Sequence, residues 1–264
     1  LGNDAKLIDN IIKTGELVHP TIYTVVGSPV PMVIGTDTKG IAHEIEAVIG
    51  VPAFGFDTNG LGLYHSGVSE AMCRLIERFT VKADQKLPRG INILGTTPLD
   101  FSANANAADL EETLQKWGFT VIGKMMMGAT IDQLCGLDRA VVNLVVTESG
   151  MKAAKLLERK FGIPYVAGMP LSHAEEVREL LERTLEDGRS RVLSDEAEAG
   201  GVLIIGEQIF GNSLRRLLKR YAPDMKVTVG SFFDLNADIA SDGDLNITSE
   251  ENLSEILELG AYHT

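Results

Sequence analysis

The chain has 264 residues, of which 44% are hydrophobic and 23% charged, so two or three lobes with buried cores are expected. Its formal net charge of −13 gives a surface that repels phosphate backbones, which argues against nucleic acid as a partner. No apolar run approaches the roughly 20 residues of a membrane span, and no signal-peptide pattern opens the chain, so a soluble, cytoplasmic protein without a membrane partner is expected.

The first lobe is predicted at residues 1–87, where helical and strand periods alternate. Its first helix is indicated by apolar residues that recur at the spacing of one helix face. The run 21–26 is rich in β-branched residues, which favours a buried strand. The predicted elements are, in order, a helix capped by Asp4, the strand 21–26, a helix opened by Asp37 or Thr38, the strand 51–56, a glycine-rich loop at 57–66 and a helix that ends near Phe79.

The second lobe is predicted at residues 88–186 as four strands that alternate with helices. Strands separated by helices pair in parallel, because a parallel pair needs a long crossover connection. Ser172 and Glu175 have the spacing of a capping box ahead of the last helix. The predicted strands are 91–94, 120–122, 141–146 and 165–167.

The third lobe is predicted at residues 187–264 and is either small or truncated, because its sequence indicates only two strands, 202–205 and 227–229. The stretch 187–200 is acidic and rich in small residues, which is typical of a flexible linker. Thr248 and Glu251 have capping-box spacing ahead of the final helix.

The order of elements predicts an α/β fold made of repeated Rossmann-like lobes, with parallel sheets flanked by helices. The chain opens with Leu1 rather than Met, and it stops just after a helix. We therefore expect a piece of a longer protein.

Four strand-to-helix loops are candidate ligand sites, because ligands of open parallel sheets bind beyond the carboxyl ends of the strands. The first loop, at 26–40, precedes a helix N-terminus, where free amides favour an anion. Gly35 and Thr36 are predicted to contact a ligand there, and Asp37 and Lys39 are predicted to line a cleft. The alternative is that Asp37 or Thr38 only caps the helix while Lys39 is solvated.

The second loop contains a GxGxxxxG pattern at Gly60, Gly62 and Gly67. Its spacing differs from the GxGxxG fingerprint of dinucleotide sites, so the third glycine is misplaced for tight packing of helix against strand. A loop approached by another chain or by a cofactor is the favoured interpretation, with Gly60 and Gly62 in contact with it. The further candidate cleft residues are Asp57, Asn59, Tyr64 and His65.

The third region comprises Gly95 and Thr96 after one strand and Glu148 after another. Glu148 has the position of an acid–base residue, although Glu148 and Ser149 are equally typical of a helix start. The fourth loop, 206–211, is similar in kind and names no particular residue. The sequence contains no GxxxxGK[ST], GxSxG, HExxH or CxxC motif, so the catalytic residues are unknown.

Two cysteines, Cys73 and Cys135, are too few for a disulfide framework or a metal-ligand cluster. Both lie among apolar neighbours in predicted helices, and each is predicted to be a small buried side chain. No metal ligands are predicted in this chain.

Three stretches of the chain carry the pattern of a known family. They are 2–37, which includes Pro31-Met-Val-Ile-Gly35-Thr36-Asp37; 52–62; and 91–170, which includes Leu110-Glu111-Glu112, Gly118-Phe119-x-Val121 and Lys160-x-Gly162-Ile163-Pro164-Tyr165. In this order they resemble nitrogenase component 1 (dinitrogenase)-type oxidoreductases and their cofactor-assembly and protochlorophyllide-reductase relatives. The resemblance covers most of residues 1–186, and beyond it only the order of elements matches.

The resemblance implies Rossmann-like domains, paired subunits and electron transfer from an iron–sulfur reductase partner. The family's cluster-ligating cysteine falls near residues 28–30, where this chain has none, and another falls upstream of Leu1. No cofactor is therefore evident in this chain, and an iron–sulfur or metal cluster is expected only in a full-length or partnered protein.

Three hypotheses about function follow. The first is an oxidoreductase subunit that carries out reductive chemistry on an unknown substrate, as a homodimer or paired subunit. The second is a cofactor-assembly scaffold or binding protein that has the same fold and does no chemistry. The third is an ordinary nucleotide-dependent enzyme that uses the loop 60–67.

Overall fold

The computed structural model describes residues 4–171, 175–198, 200–260 and 262. The chain divides into two units, residues 1–67 and 68–264. Within the described part, no helix is both long and apolar enough to cross a bilayer.

The first unit is built on a pair of parallel strands, with Tyr23 opposite Ala53 and Val26 opposite Phe56. Ile8, Ile41 and Ile45 form its buried core. Its elements are α1 (Asp4–Val18), β1 (Tyr23–Val26), α2 (Pro29–Val33), α3 (Thr38–Ile49) and β2 (Ala53–Phe56).

The strand predicted at 21–26 exists, but the expectation that it is buried is wrong. Residues along β1 alternate between partly buried and exposed, and Val26 is 64% exposed. The reason is that the helices α1 and α3 cover only one face of this two-stranded sheet. Because successive side chains of a strand point to opposite faces, every second residue of β1 stays exposed. In a strand of only four residues, the amino-acid composition does not distinguish a strand buried on both faces from one that is buried on a single face.

The second unit is centred on a five-stranded sheet in which every strand runs parallel to its neighbours. The strand order is β4-β3-β5-β6-β7. Two short 3-10 turns, Leu137–Arg139 and Glu148–Gly150, lie just before and just after the central strand β5. The elements are α4 (Tyr64–Phe79), which crosses the division, β3 (Gly90–Thr96), α5 (Pro98–Phe101), α6 (Asn104–Lys116), β4 (Thr120–Met126), α7 (Ile131–Cys135), β5 (Val142–Val145), α8 (Met151–Phe161), β6 (Tyr165–Ala167), α9 (Glu175–Asp187) and β7 (Arg191–Val192).

Both faces of this sheet are covered, as its nearly continuous apolar strands require. Leu94 and Val145 belong to the core on one face, and Ile93 and Leu144 belong to the core on the other. The parallel sheet flanked by helices confirms the predicted fold class.

The stretch 187–200 was expected to be a flexible linker, but part of it is a strand. Val166 pairs with Arg191 and Ala167 with Val192, so β7 forms the fifth strand of the second sheet. Its two residues are too short to produce a period, and only pairing with β6 makes them a strand. The predicted cap at Ser172 lies outside the described residues.

The last part of the chain forms a third parallel sheet, with three strands in the order β10-β9-β8, so the expectation of only two strands is wrong. Its third strand has only two residues. Ser249, not Thr248, caps the final helix by accepting a hydrogen bond from the amide of Asn252. The elements are β8 (Val202–Ile205), α10 (Gln208–Tyr221), β9 (Val227–Ser231), β10 (Leu245–Asn246) and α11 (Glu250–Leu259). The division into lobes at residues 87 and 186 stays a prediction.

Candidate functional site

The N-terminus of α3 carries the first group of candidate residues. Asp37 caps the helix and accepts a hydrogen bond from the amide of Gly40 at 2.8 Å. Lys39 lies one residue inside the helix, and its Nζ is 2.5 Å from Oδ2 of Asp57 at the end of β2. Asp57 also accepts a hydrogen bond from the hydroxyl of Thr38. The structure therefore joins Lys39 to Asp57 and gives Asp37 the capping role that the sequence left open.

The remaining candidates of this unit keep local contacts. Asn59 accepts a hydrogen bond from the amide of Leu61 at 2.9 Å, which shapes the turn that contains Gly60. Tyr64 and His65 pack edge to face, with ring centroids 6.0 Å apart, at the start of α4. The last three candidates of the unit lie in loops. Gly35 has a φ of +74°, and the amide of Thr36 donates a hydrogen bond to the carbonyl of Pro31. Gly62 is exposed.

The close approach of helix to strand in this unit depends on a glycine outside the predicted pattern. A Cβ added to Gly55 in β2 would lie 2.2 Å from the carbonyl oxygen of Thr38, at the start of α3. A Cβ added to Gly67 would meet only an ordinary contact, 3.8 Å from a methyl carbon of Thr58. Gly67 therefore does not serve the packing role of the third glycine in a dinucleotide fingerprint.

In the second unit, Gly95 and Thr96 of β3 contact residues of the two neighbouring chain segments, β4 on one side and the residue after β5 on the other. Gly95 has a φ of +94°, and a Cβ there would lie 2.5 Å from Oγ1 of Thr147, which donates a hydrogen bond to the Gly95 carbonyl. Thr96 is buried and donates its hydroxyl to the carbonyl of Met125 at 2.9 Å. Both residues are thus occupied by packing at the carboxyl ends of β3, β4 and β5.

Glu148, by contrast, meets a carboxylate that the sequence did not single out. Glu207 follows β8 and caps α10, where it accepts hydrogen bonds from the amides of Ile209 at 3.1 Å and Phe210 at 2.8 Å. The same carboxylate accepts a third hydrogen bond, from the amide of Glu148 at 2.7 Å. Asn236, in the loop after β9, donates to the side chain of Glu148 at 3.0 Å. Loops after three strands therefore meet at this point.

Burial raises the pKa of Glu207 from 4.5 to about 7, against the opposing effect of the three amides that donate to it. The negative charge of Asp100 also raises this pKa. A carboxyl group with a pKa near 7 can both accept and release a proton at neutral pH, as an acid–base residue must. The only sequence signal for it was the position of an acid between a strand end and a helix start, which is common to many caps.

The cysteines do not form a cluster site. Cys73 in α4 and Cys135 in α7 are partly buried rather than fully buried, which corrects the expectation, and burial raises the pKa of the Cys73 thiol. Across the described residues, no three His, Cys, Asp or Glu side chains are arranged to hold a metal ion. The residues present therefore do not fit an iron–sulfur cluster, which needs several thiolate ligands.

These features define a class: an α/β protein of parallel sheets whose polar loops gather at the carboxyl ends of the strands. The family model described as nitrogenase component 1 type oxidoreductase matches residues 1–187. The chain belongs to this family.

Curated relatives agree with this assignment. The chain is 27% identical over 173 residues to the nitrogenase molybdenum-iron protein alpha chain of Clostridium pasteurianum, covering 62% of this chain and 31% of the relative. It is 28% identical over 167 residues to the nitrogenase iron-molybdenum cofactor biosynthesis protein NifE of the same organism, covering 62% and 36%. It is 24% identical over 187 residues to a subunit of the light-independent protochlorophyllide reductase of Leptolyngbya boryana, covering 67% and 37%. The chain thus spans about a third of the length of these relatives.

A solved structure extends the likeness in fold beyond residue 187. The structure titled "Nitrogenase Cp1 at pH 6.5" matches with a TM-score of 0.64 and 18% identity, covering 97% of this chain and 58% of that chain. At this identity the match concerns the fold alone. It includes the third sheet, for which the sequence indicated only an order of elements.

Proposed function

We propose that this chain is part of a nitrogenase component 1-like oxidoreductase subunit, which carries out reductive chemistry with electrons from an iron–sulfur reductase partner. The observation that carries the proposal is the family match over residues 1–187. Two of the relatives, a nitrogenase chain and a protochlorophyllide reductase subunit, have names that describe reductive enzymes.

Reduction of a bound substrate generally consumes protons together with electrons, and the second unit holds a group suited to supply them. Glu207 has a pKa of about 7 and lies beside Glu148 at the carboxyl ends of the strands. We assign Glu207 the exchange of a proton, and Glu148 its positioning through the backbone amide. In the first unit, Lys39 and Asp57 form an ion pair that presents charge at the end of β2.

A cofactor-assembly scaffold is the second candidate function. It is favoured by the two cysteines, neither of which lies near residues 28–30, and by the relative named as a cofactor biosynthesis protein. On this alternative the chain binds a precursor and accepts no electrons. Any cluster of the enzyme would then be held by a fuller chain or by a partner.

Electron uptake separates the two candidates. A purified iron–sulfur reductase is reduced with dithionite, freed of excess dithionite, and mixed anaerobically with the full-length protein, while its visible absorbance is followed. The oxidoreductase proposal expects the reductase to be oxidised at least about tenfold faster with the protein than without it, with the electrons accepted by the cluster that a full-length or partnered protein would hold. Unchanged oxidation in the presence of measurable binding would favour the scaffold and reject the oxidoreductase.

Matched lysine variants test the first unit in the same assay. Lys39→Met removes the charge beside Asp57, and we expect it to slow electron uptake or reductase binding. Lys13→Met is the control, because Lys13 forms an exposed ion pair with Asp9 within α1, 2.6 Å apart. Equal effects of the two substitutions would remove Lys39 from the candidate site.

We expect the protein to work in the cytoplasm as a homodimer or paired subunit, as its family resemblance implies. Light scattering at tens of micromolar protein is expected to report about twice the chain mass. A monomer at that concentration would leave pairing with a different subunit as the only form of this proposal.

A further inference from the structure

Asn59 and Gly60 form the only Asn-Gly step in the chain. Both residues are exposed, in the loop between β2 and α4. An asparagine can react with its own backbone, because the amide nitrogen of the next residue lies within reach of the side-chain carbonyl carbon. Glycine leaves that nitrogen the least crowded, since it has no Cβ. The step therefore places the residue types that this reaction needs where water can reach them.

The turn holds the reacting groups in a favourable arrangement. Oδ1 of Asn59 accepts a hydrogen bond from the amide of Leu61 at 2.9 Å. Negative charge develops on this oxygen when Cγ is attacked, so the Leu61 amide is a donor placed where the charge arises. Within the described part of the chain, neither the amide of Gly60 nor Nδ2 of Asn59 donates a hydrogen bond. The attack therefore breaks no hydrogen bond of the turn.

We propose that Asn59 is a site of spontaneous covalent modification, which converts it to aspartate and isoaspartate through a succinimide ring. The nitrogen of Gly60 forms a bond to Cγ of Asn59 and loses its proton. The bond between Cγ and Nδ2 breaks, and Nδ2 takes up a proton and leaves as ammonia. Water then opens the ring by adding its hydroxyl to one of the two ring carbonyl carbons and its proton to the ring nitrogen. Opening at one carbonyl gives aspartate, and opening at the other gives isoaspartate.

The product changes both the charge and the shape of the loop. Either product lowers the formal net charge of the chain from −13 by one, and the new carboxylate lies two residues from Asp57, which pairs with Lys39. Isoaspartate also lengthens the backbone of the turn by one carbon. A Cβ added to Gly60 would lie only 3.2 Å from Cδ of Pro29, so the turn is packed against α2. The modification therefore alters a loop that the sequence identifies as a candidate ligand site.

Asn236 provides a matched comparison within the same chain. Its Oδ1 accepts a hydrogen bond from the amide of Asp238 at 3.0 Å, which is the kind of contact that Asn59 makes. The next residue, however, is Ala237, whose Cβ crowds the attacking nitrogen. In addition, Nδ2 of Asn236 donates to the side chain of Glu148 at 3.0 Å, which holds the leaving group. Asn236 should therefore react more slowly than Asn59.

Incubation of the purified, unaltered chain at pH 7.4 and 37 °C, followed by peptide mapping with mass spectrometry, tests the proposal. The peptide that contains Asn59 is expected to gain about 1 Da, as an amide becomes a carboxyl group, and to separate into aspartate and isoaspartate forms. We expect Asn59 to convert at least about tenfold faster than Asn236. A synthetic peptide of residues 53–63 gives the rate without the fold, and the chain should react no more than about tenfold more slowly than this peptide.

Two variants complete the test. Asn59→Gln keeps a side-chain amide but places it one carbon farther from the nitrogen of Gly60, so the mass gain at this position should disappear over the same time. Asn236→Gln is the matched control and should leave the conversion of Asn59 unchanged.

The proposal is rejected if Asn59 converts more than about tenfold more slowly in the chain than in the peptide, or if Asn236 converts as fast as Asn59. It is also rejected if only aspartate forms, because direct hydrolysis of the side chain gives no isoaspartate. These outcomes are read on the unaltered chain, so they do not depend on the folding of a variant. They are also independent of electron transfer, and a failure here would leave the oxidoreductase proposal standing.

Discussion

One ion pair in each unit joins a helix residue to an aspartate that lies next to a strand, and these two pairs differ mainly in burial. Lys39 and Asp57 in the first unit have side chains that are 50% and 42% exposed. Arg215 and Asp244 in the second unit are both 0% exposed, at 2.5 Å. Exposed pairs are solvated whether or not they are formed, whereas a buried charge that loses its partner has no water to replace it. Loss of the ion pair should therefore change the free energy of unfolding little in the first unit and greatly in the second.

The buried pair is also part of a network of hydrogen bonds. Arg215 donates to Asn212 at 2.6 Å and to Ser241 at 2.8 Å, in addition to Asp244. Asp244 accepts from the amide of Val229 in β9 at 3.1 Å. A helix, a strand and the loop before β10 are therefore held by one network, which stabilises a sheet whose third strand has only two residues.

The largest effect is expected for Arg215→Met, which leaves Asp244 buried without its cation. We expect a loss of about 3–5 kcal/mol in the free energy of unfolding. Urea unfolding followed by the fluorescence of Trp117, the only tryptophan of the chain, measures this loss in the second unit.

The next residue along the helix is the control for this substitution. Arg216 pairs with Asp195 at 2.7 Å, but the Arg216 side chain is 46% exposed, so Arg216→Met should cost no more than about 1 kcal/mol. Equal losses for the two arginines would show that burial does not set the energy of these pairs.

Matched valines extend the comparison to apolar contacts. Val142 in β5 is fully buried, whereas Val26 in β1 is 64% exposed. Val142→Ala removes two buried methyl groups and should cost about 1.5–3 kcal/mol, while Val26→Ala should change stability by less than about 0.5 kcal/mol. Thermal unfolding by far-ultraviolet circular dichroism follows both units. A loss at Val26 as large as that at Val142 would mean that this face of β1 is covered in solution.

The smallest effect is expected at the exposed ion pair. Lys39→Met should lower the free energy of unfolding by no more than about 1 kcal/mol, and added salt should reduce the difference further. Urea titrations at low and high salt measure the loss of stability and its dependence on salt. A stability loss near that of Arg215→Met would assign Lys39 a structural role and would undermine its use as a site variant.

The sequence predicted the long elements of both units well. The apolar periods of α3, α4, α6, α8 and α10, and the parallel order of β3, β5 and β6, follow from patterns many residues long. It missed β7 and β10, which have two residues each, because so short a run contains no period and becomes a strand only by pairing with a neighbour. It also misjudged the burial of β1, which depends on how many strands stand beside it.

The sequence by itself determined the family resemblance, the repeated parallel α/β lobes and the candidate loops, because local periods and spacings encode them. Only the tertiary structure decided what each loop residue contacts. Gly95 became a packing residue because it meets Thr147 beyond β5, and Thr96 became one because it donates to Met125 in β4. Glu207 has a pKa of about 7 because burial of its carboxyl group, helped by the charge of Asp100, outweighs the hydrogen bond from the amide of Glu148, 59 positions away, which lowers this pKa. A pKa depends on solvent exclusion and on neighbouring charges, and both arise from contacts that are distant along the chain.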